Sequence, residues 1–374
     1  MRKKLFTVFL TALLATPSAV AAQSPNNELN LAFSSSDIAG AVTNGGGSRG
    51  PALAVMQDGT VLLGGGDAGG EIFLVNVKTQ KLRKLGSLIP ANKRLIDSRF
   101  AITDIGVLSE NKKRANLLIS YPRLGSNNRC VEVAVDQIRY NRAKQKVNRV
   151  ANWFVTKPCV PISAVQHASG RFAVIDNKSA YVTIGDLGFP GINDRGKRGD
   201  LGSIFKVSAT NVERISQGHR NAQGIVLFNG KDLLAAEHGP RGGDELNLIK
   251  PGNDYGWPFV TYGEPYSSGD YVKPTKTGTH QGYVEPFKYW TPSIAPTELV
   301  QLPEVGWGEW SGALVLGTLR ENALVFMKLD NKFNVTQTKM VDLGQRIRDL
   351  EINKAGNLVA TTDEGRLFEI KQKN

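Results

Sequence analysis

The stretch MQDGTVLLGGGDAGGEIFLVN, from Met56 to Asn76, decides the fold class. It contains a polar turn, an apolar segment of strand length, a glycine-rich loop and a second apolar segment. Short runs of apolar and β-branched residues between Gly, Asn and Asp are typical of β-strands. No long run of the sequence has apolar residues at the i, i+3, i+4 and i+7 spacing of an amphipathic helix. The sequence therefore predicts an all-β protein.

The same pattern of turn, strand, loop and strand recurs along the chain. Five further copies begin at Ser109, Asp176, Phe228, Trp310 and Asn353. The six copies are spaced roughly 60 residues apart, and a four-stranded propeller blade needs about 40–50. We therefore predict a single domain over residues 23–374, a six-bladed β-propeller with four-stranded antiparallel blades. Because a fourth strand is missing after Lys371, we expect NELNLAFSSS, from Asn27, to complete the last blade and close the ring.

The N-terminus has the three parts of a secretory signal peptide. Met-Arg-Lys-Lys precedes an apolar run from Leu5 to Ala15, and small residues follow as far as Ala22. This run is shorter than the about 20 residues that a membrane span requires. We expect residues 1–22 to be removed and the mature protein to be secreted, without a membrane span, into a bacterial periplasm. In that oxidising compartment Cys130 and Cys159 could form a disulfide, and two free buried thiols are the alternative.

Composition and charge exclude several classes of protein. Hydrophobic residues make up 41% and charged residues 21% of the chain, which is typical of a globular protein and excludes general disorder. Two cysteines exclude a disulfide-dense scaffold and a four-thiolate zinc site. The net charge of +12 falls to 12 − 3 = +9 when Arg2, Lys3 and Lys4 leave with the signal peptide. A positive surplus favours an anionic partner, and we expect no nucleic acid.

Two residues at the ends of one predicted hairpin form a candidate acid–base pair. His167 precedes a strand in VQHASGRFAVID, and Asp186 follows the next strand in YVTIGDLG. A hairpin of this size brings both residues to the same end of a blade. There a carboxylate would fix the imidazole tautomer and raise its basicity. A surface histidine and a turn aspartate are the alternative on this spacing.

Cations and amides at other strand ends suit an oxygen-rich anion. The segment GHRNAQG places a guanidinium and two amides before a strand: Arg220, Asn221 and Gln223. In GQRIRDLEI, Arg346 and Arg348 alternate and therefore point to one face of a strand. Arg320 lies in another blade loop. These residues predict a positively charged mouth on the propeller axis, and solvated surface arginines are the alternative.

The segment AEHGPRGGDELNLIKPGNDYGWP offers oxygen atoms that suit calcium. Gly239 and Pro240 lie in a tight turn whose carbonyls we expect to point outwards. Glu245 and the carbonyl region of Tyr255 add further oxygens. Calcium prefers such mixtures of backbone and carboxylate oxygens. A structural turn with acidic neighbours is the alternative.

The chain resembles the soluble PQQ-dependent sugar dehydrogenases in seven segments. In chain order these are QHASGR, TIGDLG, GHRNAQG, EHGPRGGDELNLI, NDYGWP, WTPSIAPT and QRIRD. This is the glucose/sorbosone dehydrogenase family, which includes the aldose sugar dehydrogenases. The resemblance implies a six-bladed propeller, in agreement with the repeat count. It also implies that pyrroloquinoline quinone (PQQ) and Ca²⁺ bind at the axial mouth. We expect a monomer or a homodimer, and the sequence does not distinguish them.

The resemblance assigns roles to the candidate residues. It implies that an aldose is oxidised at the anomeric carbon to a lactone by hydride transfer to PQQ, with an external electron acceptor. His167 would be the general base, Asp186 its orienting partner, and Arg220 the group beside the reactive quinone carbonyl. The cofactor contacts would be His167, Arg220, Asn221, Gln223, Arg320, Arg346 and Arg348. Gly239 and Pro240 would bind the cofactor's calcium, and Glu245 and Tyr255 would match a second, structural calcium site.

The sequence departs from the family pattern in places, and two other functions stay open. Gln166 stands where the family has an aspartate before the base, and the N-terminal third is the least similar part. The basic stretch RYNRAKQKVNR, Arg139 to Arg149, keeps open a non-catalytic propeller that binds a glycan or polyanion. A calcium-dependent lactone hydrolase would need carboxylates around an axial metal, whereas the sequence predicts arginines there.

Overall fold

The protein is a six-bladed β-propeller, as predicted. The computed structural model describes residues 29–76, 79, 81–126, 128–162, 166–267 and 272–373. Its strands form six antiparallel sheets that follow one another along the chain, each built on a path of four strands. The predicted signal peptide, residues 1–22, lies outside the described residues. In the described part of the chain, no helix is long and apolar enough to cross a membrane.

The strands succeed one another in blade order. The chain begins with β1 (Leu31–Asp37), β2 (Thr43–Asn44) and β3 (Ser48–Arg49). Blade 1 contains β4 (Ala52–Val55), β5 (Val61–Gly65), β6 (Glu71–Asn76) and β7 (Lys81–Ser87). Blade 2 contains β8 (Asp104–Glu110), β9 (Arg114–Leu124), β10 (Cys130–Asn141) and β11 (Lys146–Val155), and β12 (Val160–Pro161) also pairs with β10. Blade 3 contains β13 (Ser169–Asp176), β14 (Ser179–Ile184), β15 (Ser203–Ser208) and β16 (Val212–Gln217).

The second half of the chain forms the other three blades. Blade 4 contains β17 (Ala222–Phe228), β18 (Asp232–Glu237), β19 (Asp244–Leu248) and, after the short parallel pair β20 (Val260–Thr261) and β21 (Lys276–Thr277), β22 (Lys288–Trp290). Blade 5 contains β23 (Pro296–Gln301), β24 (Leu314–Thr318), β25 (Ala323–Leu329) and β26 (Val335–Asp342). Blade 6 contains β27 (Ile347–Ile352), β28 (Leu358–Thr362) and β29 (Arg366–Gln372). Short 3₁₀ helices occur at Ala39–Ala41, Ala91–Lys93, Pro190–Asn193 and Gly308–Trp310.

The ring closes through the N-terminal strand. β1 pairs antiparallel with β29 from Leu31–Gln372 to Asp37–Arg366, so it forms the outermost strand of blade 6. This confirms the prediction that the segment from Asn27 supplies the missing strand. The first strand of each blade also contacts the first strand of the next, around to β4 and β27. The first strands therefore line the axis, and apolar clusters fill the space between the blades.

A buried charge cluster lies on the axis. Arg171 on β13 is fully buried, and its Nη1 atom lies 2.9 Å from Asp349, 3.3 Å from Glu298 and 3.9 Å from Asp104. The sequence predicted arginines at the axial mouth and did not indicate these three carboxylates on the axis, so that prediction was incomplete. The carboxylate oxygens are close enough together to suit a metal ion. Because the Arg171 guanidinium lies among them, the cluster has its own cation and gives no support to a lactonase-type metal centre.

The carboxylates of this cluster also join neighbouring blades. Asp104 accepts a hydrogen bond from the backbone N–H of Phe172, the residue after Arg171, at 2.6 Å. Asp349 accepts one from Leu53 at 2.8 Å, and Glu298 accepts one from Ile225 at 3.2 Å. Each bond connects the first strands of two adjacent blades. The cluster therefore stabilises the closed ring beneath the axial mouth.

The expected disulfide is present. Cys130, the first residue of β10, is bonded to Cys159, which lies just before β12. The bond fixes the segment after β11 against the body of blade 2. This agrees with the interpretation of the chain as a protein of an oxidising compartment.

Candidate active site

A cavity of about 540 Å³ lies at the end of the axis where the first strands of the blades begin. Ser169 starts β13, Asn221 directly precedes β17, and Arg348 is the second residue of β27; all three line the cavity. His167 and Gln223 line it as well. The propeller therefore brings together residues from blades that are distant in sequence. The volume of the cavity is within the usual range for small-molecule and cofactor sites.

The expected contact between His167 and Asp186 is present. Nδ1 of His167 lies 2.8 Å from Oδ1 of Asp186, and the aspartate is only 1% exposed. The same carboxylate accepts hydrogen bonds from the Gly188 backbone at 2.7 Å and from Trp257 Nε1 at 2.8 Å. These bonds fix the carboxylate as an acceptor, so the imidazole donates from Nδ1. The Nε2 atom of His167 is then the unprotonated, basic nitrogen.

The charges of this pair follow from its surroundings. Burial, followed by the nearby Arg220, lowers the pKa of His167 below its ordinary value, so the imidazole is neutral at pH 7. Burial alone would raise the pKa of Asp186. The interactions with His167 and Arg220 outweigh that effect and lower the pKa of Asp186. A neutral imidazole beside a carboxylate is the form that a general base requires.

The backbone that holds His167 depends on Gly185. His167 has a φ of +53°, in the left-handed region. A Cβ atom on Gly185 would lie 1.7 Å from the carbonyl oxygen of His167, so only glycine permits this approach. Gly185 directly precedes Asp186 in the motif TIGDLG. The glycine therefore sets the distance between the base and its carboxylate.

Arg220 is held beside the imidazole. Its Nη2 atom lies 3.4 Å from Nε2 of His167, and its Nη1 atom donates to the Gly239 carbonyl at 2.6 Å. Its backbone N–H donates to Glu237 at 2.8 Å, and its guanidinium lies over the Trp257 ring at 5.3 Å. These contacts leave Arg220 few alternative positions. Its positive charge is thus fixed next to the candidate base.

The predicted amides form a small network on the cavity wall. Gln223 donates from Nε2 to Oδ1 of Asn221 at 2.8 Å, and Ser169 donates to the same oxygen at 3.2 Å. Oε1 of Gln223 is buried and has no hydrogen-bond partner among the described residues. An orphaned buried acceptor in a cavity wall is costly unless a ligand supplies a donor.

The predicted arginines are placed differently from one another. Arg348 donates from Nε and Nη2 to Asp363 at 2.8 Å each, and Arg346 donates to the same carboxylate at 3.0 Å. Burial alone would raise the pKa of Asp363, but the two arginines lower it to about 2. Two guanidinium groups therefore share one carboxylate, which leaves a positive surplus at the mouth. Arg320 is 60% exposed, lies 4.0 Å from Glu321 and does not line the cavity.

The predicted calcium ligands fall into two groups. The Gly239 carbonyl accepts from Arg220, and the Pro240 carbonyl accepts from the Tyr266 hydroxyl at 2.9 Å. A carbonyl oxygen has two lone pairs, so each retains one for a metal. Glu245 and Tyr255 do meet, at a small cavity of about 10 Å³ that Glu237 also lines, and Gly239 of the first group lines the same cavity. A cavity of about this size holds a single water molecule.

The second group has an additional carboxylate that the sequence analysis missed. Asn247 donates to Glu237 at 3.0 Å and to Glu245 at 3.1 Å, while its own Oδ1 is buried and has no partner in the described part of the chain. His280 Nε2 lies 2.8 Å from Glu245. The hydroxyl of Tyr255 donates to the Leu248 carbonyl and accepts from the Lys250 backbone, so the backbone carbonyl of Tyr255 stays the predicted ligand. Glu237 lies two residues before Gly239, within the segment considered for calcium, so its carboxylate could have been predicted as a further ligand from the sequence.

The basic stretch that supported a polyanion-binding propeller lies on the outer strands of blade 2. Arg142 forms ion pairs with Asp58 and Glu110, and Arg149 forms one with Asp136. Part of its charge is therefore neutralised within the protein. This arrangement does not favour a polyanion site there.

The amino-acid sequence of the chain matches a known protein family. The profile of the family "Glucose / Sorbosone dehydrogenase" matches residues 48–369. The chain therefore belongs to the glucose/sorbosone dehydrogenase family, a family of sugar-oxidising enzymes. It is 27% identical over 293 residues to the aldose sugar dehydrogenase YliI of Escherichia coli K12, covering 73% of this chain and 77% of that protein. It is 30% identical over 233 residues to the uncharacterised protein slr1608 of Synechocystis, covering 55% of this chain and 56% of that protein.

Solved structures show the same fold. The apo-form of the soluble aldose sugar dehydrogenase of Escherichia coli superimposes with a TM-score of 0.76 at 23% identity, covering 91% of this chain and all of that one. The PQQ-bound aldose sugar dehydrogenase of Streptomyces coelicolor superimposes with a TM-score of 0.65 at 21% identity, covering 91% of this chain and 99% of that one. At these identities the agreement establishes the propeller fold.

Proposed function

We propose that this member of the family is a periplasmic quinoprotein that oxidises aldoses at the anomeric carbon to lactones, using PQQ and Ca²⁺. The observation that carries the proposal is the group of His167, Asp186 and Arg220 at the edge of the axial cavity. The two named aldose sugar dehydrogenases, one of them PQQ-bound, support the same reaction class. Electrons would pass from the enzyme to an external acceptor.

The cavity wall fits the chemistry of PQQ. The cofactor is a planar tricarboxylate; Arg348 lines the cavity, and it shares its carboxylate partner Asp363 with Arg346, which lies outside the lining. Oε1 of Gln223 and Nε of Arg220 are buried without hydrogen-bond partners among the described residues. A ligand with both acceptor and donor atoms would satisfy them. Arg348, Asn221 and Gln223 would hold the cofactor, and the Gly239 and Pro240 carbonyls would hold its calcium.

The residues of the site would divide the reaction between them. Nε2 of His167 takes the proton from the anomeric hydroxyl, and Asp186 stabilises the imidazolium that forms. Bound PQQ supplies the hydride acceptor. Arg220 lies next to His167 and stabilises negative charge that develops at the acceptor side of the site. Because His167 is neutral at pH 7, its Nε2 atom can accept the proton at that pH.

Reconstitution tests the proposal. The purified apo-protein is incubated with PQQ and Ca²⁺ and assayed for dye reduction with a panel of aldoses. We expect reduction with at least one aldose, and its loss in His167→Gln. Chelation should abolish the rate, and Ca²⁺ should restore it. Absence of cofactor binding, or absence of reduction with every aldose, would refute the proposal.

Export is tested separately. Mass spectrometry of the protein from a periplasmic extract should give an N-terminus after Ala22. Retention of residues 1–22 in the cytoplasmic fraction would contradict the proposed location. This result has no bearing on the chemistry of the site.

A further inference from the structure

Arg49 is a cavity residue without a role in the proposed reaction. It is the last residue of β3 and lines the axial cavity together with His167 and Arg348. Its Nε and Nη2 atoms are both buried, and neither has a hydrogen-bond partner among the residues that the structure describes. These two atoms form one edge of the guanidinium plane. That edge is suited to a bidentate bond with a carboxylate.

The neighbouring carboxylates are already engaged. Asp363 accepts from Arg346, from Arg348 and from the backbone N–H of Gly50. Asp349, on the axis, is bonded to Arg171 and to Leu53. Burial, followed by the charges of Arg348 and Arg171, lowers the pKa of Arg49 well below its ordinary value. The protein thus places a further guanidinium at the mouth, and no described carboxylate forms an ion pair with it, an arrangement that is costly without a ligand.

The backbone keeps Arg49 in this position. The segment NGGGSR forms a hairpin in which Asn44 pairs with Ser48 and Thr43 pairs with Arg49. Its turn is attached to the loop between β7 and β8, because Ser98 donates its backbone N–H to the Gly45 carbonyl at 2.9 Å. A Cβ on Gly45 would lie 2.9 Å from the backbone of Asp97, so the turn requires glycine there. The hairpin therefore presents Arg49 from a fixed support.

We propose that Arg49 binds a carboxylate of the molecule that occupies the axial cavity, through a two-point hydrogen bond from Nε and Nη2. The inference rests on the proposed function, since it assumes that the cavity holds PQQ and a sugar. The carboxylate has two possible sources. It belongs either to PQQ or to an acidic sugar such as a uronic acid, and both present the same chemistry to the guanidinium.

Three variants separate these sources. Arg49→Gln removes the charge, and Arg49→Lys keeps the charge but lacks the two-atom edge. Arg83→Gln is the matched control, because Arg83 is an exposed arginine on β7 of blade 1, which directly follows the hairpin of Arg49. Each apo-protein is titrated with PQQ in the presence of Ca²⁺ by calorimetry. Each loaded protein is then assayed with D-glucose and D-glucuronate.

The two sources predict different results. If the carboxylate belongs to PQQ, Arg49→Gln should weaken cofactor binding about 10- to 100-fold, and Arg49→Lys should weaken it less. If it belongs to the sugar, PQQ affinity should stay constant while KM for glucuronate rises at least about 10-fold relative to KM for glucose. Arg83→Gln should match the wild type in both measurements.

A thermal unfolding experiment excludes a merely structural role. Removal of an unpaired buried cation should leave the Tm of the apo-protein unchanged or raise it. A lower Tm in apo Arg49→Gln would overturn the inference, as would unchanged PQQ affinity together with unchanged sugar selectivity. A wild-type protein that binds no PQQ would instead refute the proposed function, and the inference with it.

Discussion

Replacement of Asp186 by Asn tests the candidate base through its partner. The aspartate accepts three N–H groups: from His167 and Gly188 on Oδ1 and from Trp257 on Oδ2. An asparagine has one acceptor oxygen and one NH₂ group, so it cannot accept all three. If its NH₂ faces Trp257, two donors meet there. If it faces His167 and Gly188, the imidazole must take the tautomer with the proton on Nε2, and the base is lost.

The structure sets the size of both effects. At least one buried N–H group is left unsatisfied in either orientation, and each costs about 1–3 kcal/mol of stability. A lost or misoriented general base costs about 10²- to 10⁴-fold in kcat. The charge of Asp186 raises the pKa of His167, so its removal should lower that pKa further. We therefore expect the acid limb of the pH–rate profile to move to lower pH while the maximum falls.

The assay compares Asp186→Asn with Asp176→Asn, both reconstituted with PQQ and Ca²⁺. Asp176 lies at the exposed end of β13 and accepts hydrogen bonds only from the nearby Lys178 and Ser179 among the described contacts. The control should keep the wild-type kcat, and both variants should bind the cofactor. An Asp186→Asn enzyme that binds PQQ and retains kcat within about threefold of the wild type would refute the assigned roles.

Three other predictions follow from the same geometry. Gly185→Ala should fold poorly or lose activity, because its Cβ would lie 1.7 Å from the His167 carbonyl; wild-type kcat and Tm would contradict this. Replacing Cys130 and Cys159 together by Ser opens a link between residues 29 apart, and chemical denaturation should show a loss of about 3–4 kcal/mol. The acid limb of kcat/KM in the wild type should lie below pH 6.5, because the pKa of His167 is lowered from its ordinary 6.5; a limb above pH 7 would argue against this base.

The parts of the fold that depend on local patterns were predictable from the sequence. Turn and strand signals repeat six times, and a blade consists of neighbours in sequence, so both the blade number and the closure by β1 followed. The contact between His167 and Asp186 followed for the same reason, since one hairpin carries both residues. Its support by Gly185 required the structure, because a close approach between two backbones has no local signal beyond the glycine.

Contacts between distant blades could not be predicted in this way. Arg171 meets carboxylates from blades 2, 5 and 6, and nothing in the sequence near any of them indicates the others. The role proposed for Arg49 could not be predicted, because it depends on the short hairpin of β2 and β3 and on the arrangement of the described carboxylates around it. Arg320 was predicted to line the axial mouth because it lies in a blade loop. Its side chain is instead 60% exposed and lies outside the cavity lining.

The central claim is that this cavity binds PQQ and transfers hydride to it from a sugar. Its most direct test is an anaerobic titration of the wild-type apo-protein with PQQ and Ca²⁺, followed by one equivalent of aldose without any dye. We expect saturable binding of one PQQ per chain, and then complete conversion of the bound quinone spectrum to that of the reduced cofactor. Binding without reduction by any aldose, or no binding at all, would contradict the account.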